Sequence, residues 1–388
     1  MESKKTKELE SYEILIADKY ALNSIRKLGS GSTGDVYSGR ELDTEKLIAI
    51  KLEYTYHVPS LVKNEYKIYK KLQGLERIPK IHFFGEQGEF FVLIMDLLGP
   101  SIKAQMNFIK KSFSLATTLK ISIQLLDIIE NIHKKGVLLR YIKPENMVIG
   151  RGDNEDFVYL IDFGLAKIYF KNGVHSQYKE GKDRLGNIHF ISINVHRGIK
   201  ISRRDDIESL GYNLVYFMKG KLPWSSCLHG KEAKKIKIET SLEELCEGLP
   251  EEFQKFIEHA RNLEFYEEPN YNYLKSLLLQ TAEKNKIDIN NVKYDWVIYK
   301  ENLQKEQCEE NGEKQNISKE INKDEIKDKE SENKKIEYDG EGKISENVGN
   351  EKDKRNENAE KERDKNYDTT ETEKNKISEK DVKLETKN

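Results

Sequence analysis

Cysteine is scarce: Cys227, Cys246 and Cys308 are the only three in 388 residues. They are too scattered for a disulfide framework or a close-spaced metal motif. Long apolar runs are missing as well. The densest, Phe90 to Leu98, is interrupted by Asp96 and falls far short of the roughly 20 residues that span a bilayer. Met1 to Lys5 lacks the apolar core of a secretory signal. A strong excess of one charge is also absent. The net charge of −2 divides into about +5 on the first 300 residues and −7 on the rest, too little basic character to argue for nucleic acid. These absences point to an intracellular protein of the cytoplasm or nucleus, expected to be a monomer, with no membrane or nucleic-acid partner.

Aromatic residues are nearly missing from residues 301–388, where Tyr338 and Tyr367 are the only two and 47 of 88 positions are charged. Such a segment buries too little apolar surface to offset its ordering entropy, so a disordered Lys/Glu/Asn-rich tail is expected there. At most, isolated helical turns are expected near Lys376–Leu384. Both Trp and all 14 Phe fall in the first 300 residues, which form the folding unit after a polar leader over 1–19.

Within that unit the pattern changes near residue 100. Short β-rich runs come first: Ser24–Leu28, Asp35–Ser38, Leu47–Glu53, Ile81–Phe84 and Phe90–Met95. A single helical stretch, Ser60–Leu72, interrupts them, with Leu61, Ile68, Tyr69 and Leu72 at helical spacing. Helices dominate afterwards. Ser114 is a suitable cap for a run from Leu119 to Ile132 that is apolar nearly all round and stops at Gly136, so that helix should be central and buried. Phe157–Ile161 reads as a short buried strand. The coarse result is α+β: a small β-rich lobe, a larger helical lobe and a cleft between them.

Residues with chemical potential cluster at the joints of this pattern. Gly29-Ser30-Gly31-Ser32-Thr33-Gly34 forms a glycine-rich loop between two strands, where open backbone amides can approach phosphate oxygens. Taken alone it is as compatible with an ordinary turn. Lys51 ends the alternating strand Ile48-Ala49-Ile50-Lys51 and offers a cation to those phosphates. Glu65, 14 residues on in the first helix, has the spacing to pair with Lys51. Asp162 sits at the tip of the buried strand in Asp162-Phe163-Gly164, where a carboxylate suits Mg²⁺. Asn146, in Lys143-Pro144-Glu145-Asn146, offers a second hard oxygen ligand. Each feature alone is common. Their order along one chain is not, and it resembles that of a protein kinase.

Further motifs narrow the resemblance. Leu98-Gly99-Pro100-Ser101 follows the expected hinge. Ser192-Ile193-Asn194 stands where most kinases have Ala-Pro-Glu. The run from Ser202 to Tyr212 (Ser-Arg-Arg-Asp-Asp-Ile-Glu-Ser-Leu-Gly-Tyr), then Leu222-Pro223-Trp224 and Tyr294-Asp295-Trp296, complete a series that resembles the casein kinase 1 family of serine/threonine kinases. The resemblance implies a two-lobed kinase fold over 20–300, with an N-lobe of about 20–95, a hinge at 96–99 and a C-lobe of about 100–300. It implies ATP and Mg²⁺ as cofactors, with Asn146 and Asp162 as metal ligands. Adenine would meet the Asp96 carbonyl and the Leu98 N–H, between Val36, Ala49, Val148 and Ile161, with Met95 as gatekeeper. Protein partners with acidic or phosphorylated segments are also implied, near Lys182 and Arg184. His189 replaces an arginine of the family's anion site. The lysines of Gly230–Lys237 are expected to be a solvated charge run.

One position departs from the pattern at the chemistry itself. The catalytic loop reads Leu139-Arg140-Tyr141, where the family has His-Arg-Asp, and flanking matches allow no shift. Tyr141 therefore replaces the Asp that accepts the substrate hydroxyl's proton. Tyrosine phenols ionise near pH ~10 and are poor bases at neutral pH. Losing a positioned base costs roughly 10²–10⁴ in rate, against about 1–100 s⁻¹ for kinases. Asn187 likewise replaces a threonine that would bond that Asp, while Leu139 keeps an apolar contact for Phe163. The expectation is a casein kinase 1-like protein that binds ATP–Mg²⁺ and transfers phosphate poorly or not at all, acting as scaffold or allosteric partner. The alternatives are a working serine/threonine kinase with an unusual base, and a nucleotide-independent interaction module.

Overall fold

The computed structural model describes residues 10, 12–31, 34–182 and 186–308. The tail from 309, the turns expected near Lys376–Leu384, and Ser32, Thr33 and Arg184 lie outside the described residues.

The first lobe is a curled antiparallel sheet. Strands β1 (Glu13–Ile16), β2 (Tyr20–Gly31), β3 (Gly34–Glu41), β4 (Leu47–Tyr54), β5 (Ile81–Gln87) and β6 (Phe90–Asp96) lie in the order β1-β2-β3-β4-β6-β5, with α1 (Leu61–Leu72) packed on them. All five expected strands lie within longer observed ones. β1 falls in the stretch expected to be a polar leader. It pairs with the first half of β2, and Arg40 on β3 holds Glu13 at 2.8 Å.

Helix α1 is fixed to β4 by its cap. Ser60 accepts the Lys63 N–H, and the buried Glu53 carboxylate of β4 accepts from the Leu61 N–H (3.0 Å), the Val62 N–H (3.2 Å) and the Ser60 hydroxyl. A carboxylate at a helix N-terminus satisfies orphan amides and complements the dipole. Because strand side chains alternate, Lys51 and Glu53 share one face of β4. The cap therefore presents the next turn of α1, which carries Glu65, to Lys51.

The second lobe is mostly helical: α2 (Ile102–Ile109), α3 (Leu115–Lys134), α4 (Ile193–His196), α5 (Arg203–Lys219), α6 (Gly230–Glu239), α7 (Leu242–Cys246), α8 (Glu251–Asn262), α9 (Tyr271–Lys284) and α10 over residues 295–308. Helix α10 crosses the expected boundary at 300. Short strand pairs lie among these helices: β7 (Val137–Leu138) with β10 (Lys167–Ile168), β8 (Met147–Ile149) with β9 (Val158–Leu160), and β11 (Phe170–Lys171) with β12 (Val174–His175). Ser114 caps α3 as expected, and Gly136 follows it with φ 74. Leu125, Ile129 and Ile132 of α3 join Leu210 and Leu214 of α5, Leu274 of α9 and Leu93 of β6 in one buried cluster. That shared core unites the lobes. Among the described residues, no helix is long and apolar enough to cross a membrane.

Candidate active site

Lys51, Glu65 and Asp162 converge between the lobes. The Lys51 ammonium is 2.6 Å from Glu65 Oε2 and 3.1 Å from Asp162 Oδ1, with Lys51 and Glu65 fully enclosed. Burial works against the Lys51 charge, but the two carboxylates outweigh it and hold its pKa above the ordinary value. Burial pushes Glu65 up to about 7, against the pull of Lys51. Asp162 adopts the left-handed region at φ 64, a conformation that bulky residues avoid and Asp tolerates.

The segment after Asp162 is pinned to α1. Asn64 donates to the Gly164 carbonyl (2.8 Å) and the Ala166 carbonyl (3.0 Å), contacts that the sequence motifs gave no reason to assign. Phe163 is buried edge-on against Tyr69 at 4.8 Å and shares the core cluster with Leu139, consistent with the expected apolar packing.

Above the cleft, Gly31 pairs with Gly34 across the β2–β3 hairpin. Gly34 has φ 109, and a Cβ there would lie 2.2 Å from the Leu52 carbonyl oxygen, so only glycine fits. Gly29 and Gly31 face open space. Ser30 instead turns its hydroxyl to Asp35 at 2.7 Å. Ala49, Met95 and Val148 are buried, and Val36 and Ile161 are half-buried. At the hinge, the Asp96 carboxylate accepts from Lys46 (2.8 Å), His82 (2.9 Å) and the Lys80 N–H (2.9 Å). Burial would raise its pKa, but His82 and Lys46 hold it well below the usual carboxylate range. The Leu98 N–H has no hydrogen-bond partner among the described residues, which leaves it available to a ligand.

Below the cleft runs the loop carrying Tyr141. Asp206 of α5 anchors it by accepting the Leu139 and Arg140 N–H groups, each at 2.8 Å, and by pairing with His133 of α3 at 2.9 Å. Tyr141 is half-buried. Asn146 donates to the Tyr141 carbonyl at 3.2 Å, and the Lys143 ammonium lies 4.4 Å from the Tyr141 ring centre. Asn187 does not bond Tyr141; its side chain accepts from the His189 N–H at 2.9 Å. Among the described residues no group of three His, Cys, Asp or Glu side chains could hold a metal. The side-chain oxygens of Asn146 and Asp162 are nonetheless of the hard type that Mg²⁺ takes, and that ion usually needs only one or two protein ligands beside phosphates and water.

Two basic features lie beside the loop. A cavity of about 210 Å³ is lined by Arg140, Lys167, Lys182 and Lys200, among others. Burial and the charges of Lys167, Lys179, Lys182 and Arg140 together lower the Lys200 pKa. The second corrects the expected solvated run. Gly230–Lys237 belongs to α6, and Lys237 is fully buried, donating to the carbonyls of Ile191 (2.6 Å), His189 (3.1 Å) and Ile188 (3.4 Å). The rings of Tyr212 and Trp224 flank its ammonium at 4.6 and 4.8 Å. Lys231 and Lys235 are exposed, as expected, and Lys234 is half-buried. His189 turns its ring toward the Cys227 carbonyl at 3.1 Å.

The family model described as protein kinase domain matches residues 22–290, which is most of the described chain.

Proposed function

The chain belongs to the protein kinase family, and from that premise we propose that it is a casein kinase 1-like member that binds ATP and Mg²⁺ yet transfers phosphate poorly or not at all, acting as a scaffold or allosteric partner. One juxtaposition supports the reading: the Lys51–Glu65–Asp162 cluster is assembled, while the loop with Asn146 carries Tyr141 where the resemblance expects the general base. Bound Mg²⁺ would neutralise charge developing on the phosphates.

The roles of the residues follow from their chemistry. Lys51, held by Glu65, would grip the phosphates. Asp162 and Asn146 would supply the metal's protein oxygens, and Gly29 and Gly31 would leave space for the phosphates beneath β2 and β3. The Leu98 N–H and the apolar walls at Val36, Ala49, Met95, Val148 and Ile161 would take the base, as a purine site requires. The residue directly after Arg140 is Tyr141, so no carboxylate stands there to accept a hydroxyl proton.

Partner chemistry is read from the cavity at Arg140, Lys167, Lys182 and Lys200. No ion pair to Lys167, Lys182 or Lys200 occurs among the described residues. Such clustered cations favour an acidic or phosphorylated segment. Thermal-shift titration with ATP and Mg²⁺ tests the nucleotide half of the proposal. Stabilisation supports it, and no shift would favour a module that ignores nucleotide.

A further inference from the structure

The basic cavity continues into an aromatic surface. Lys200 joins the two: its ammonium donates to the Gln177 carbonyl at 2.9 Å, and its N–H donates to the Lys179 carbonyl at 2.9 Å. Tyr178 lies between those two residues. Its N–H donates to the Tyr266 hydroxyl at 3.0 Å, and its ring meets Phe265 edge-on at 5.3 Å. From there His175 links Tyr266 (5.1 Å) to Tyr169 (5.0 Å), which lines the cavity itself.

The inner rings of this chain are core. Tyr169 and Phe265 are buried. The outer ones are not: Tyr178 is 40% exposed and Tyr266 54%, while Phe170 (44%) and Val174 (67%) extend the surface along the β11–β12 hairpin. The backing is firm. Arg203 donates to the Tyr266 carbonyl at 2.7 Å and pairs with Glu268 at 3.2 Å. Rigid exposed aromatics lose little conformational freedom when covered, and they dominate binding energy where they occur at interfaces.

We propose that this aromatic shelf is a second recognition element for the partner segment, seating a large apolar side chain within a few residues of the acidic or phosphorylated group held in the basic cavity. The inference rests on the acidic-partner reading above and adds a sequence requirement to it. Charge complementarity selects the occupant: the cations take the anion, and the adjoining exposed rings of Tyr178, Tyr266 and Phe170 take its apolar neighbour. An extended segment advances ~3.3 Å per residue, so the two groups belong to one short peptide.

Fluorescence anisotropy with short Gly/Ser peptides tests this directly. Each peptide carries one phosphoserine, and a single Phe is placed one to four residues to either side or omitted. For the wild-type chain, at least one Phe position should tighten binding roughly three- to tenfold over the Phe-free peptide. The double variant Tyr178→Ala/Tyr266→Ala should lose that gain while binding the Phe-free peptide as before. Should the double variant melt early, Val174→Asp charges the same surface without touching the ring cluster, and it should lose the gain too. A Phe that helps at no position, or a gain that survives these variants, overturns the shelf. Lys182→Glu/Lys200→Glu isolates the underlying reading. If it binds both peptide types as tightly as wild type, the anion cavity has failed, whatever the rings do. No binding of any peptide to wild type overturns both.

Discussion

Lys143 holds its ammonium 4.4 Å from the centre of the Tyr141 ring. Lys143, which the resemblance implies helps to position the substrate, thus rests beside the aromatic ring proposed to stand in place of the base. A cation–π contact of this kind contributes about 0.5–1 kcal/mol at an exposed site, enough to bias the lysine's resting position. On the proposed reading, Tyr141 would therefore act twice, supplying no proton acceptor and holding the neighbouring cation.

Nucleotide binding should survive that change, because the Lys51 cluster is built from other elements. Wild type is expected to gain stability with ATP and Mg²⁺, about 2.7 kcal/mol at a hundredfold excess over Kd, read as a rise of several degrees in Tm. Lys51→Met should abolish the shift, since Glu65 and Asp162 are then left facing each other without a cation. A full shift in Lys51→Met would show that the nucleotide binds elsewhere.

Asp206 is expected to be a stability residue that also sets the loop. It is buried, accepts two backbone N–H groups and pairs with His133. Asp206→Ala leaves those donors unsatisfied and should cost at least about 3 kcal/mol in urea unfolding. A loss under about 1 kcal/mol would mean that the loop is held by something else.

Much of this site was legible because each part carries a local signature. The glycine loop, Lys51 on an alternating strand, Glu65 on the next helix and Asp162 at a buried strand tip could each be read from neighbours. Lys51 and Asp162 meet although 111 residues separate them. The basic cavity was not legible beyond Lys182. Arg140, Lys167, Lys182 and Lys200 come from separate segments, and an isolated lysine looks the same whether it joins a pocket or faces water. Lys237 misled for a related reason. It sits among surface lysines, and only packing against Tyr212 and Trp224 buries it. Strand β1 was hidden because its pairing partner, rather than its charged surroundings, makes it a strand.

Lys237 gives a pH signature. Burial pushes its pKa down to about 7 from 10.5, so between those values the unfolded chain binds the proton that the folded chain has released. Its contribution to stability therefore rises with pH above about 7 and falls away as the pH is lowered toward it, with a slope approaching ~1.4 kcal/mol per pH unit. Urea unfolding of wild type and Lys237→Met at pH 7, 8 and 9 isolates the effect. The difference between the two should grow in favour of wild type with pH, and parallel profiles would refute it.

The most direct measurement is phosphate transfer from ATP to casein by the wild-type chain and by Tyr141→Asp, side by side with Mg²⁺ present. Wild type should turn over below about 1 s⁻¹, and the variant should run roughly 10²–10⁴ faster. Robust wild-type transfer that Tyr141→Asp does not raise would show that another group already takes the proton.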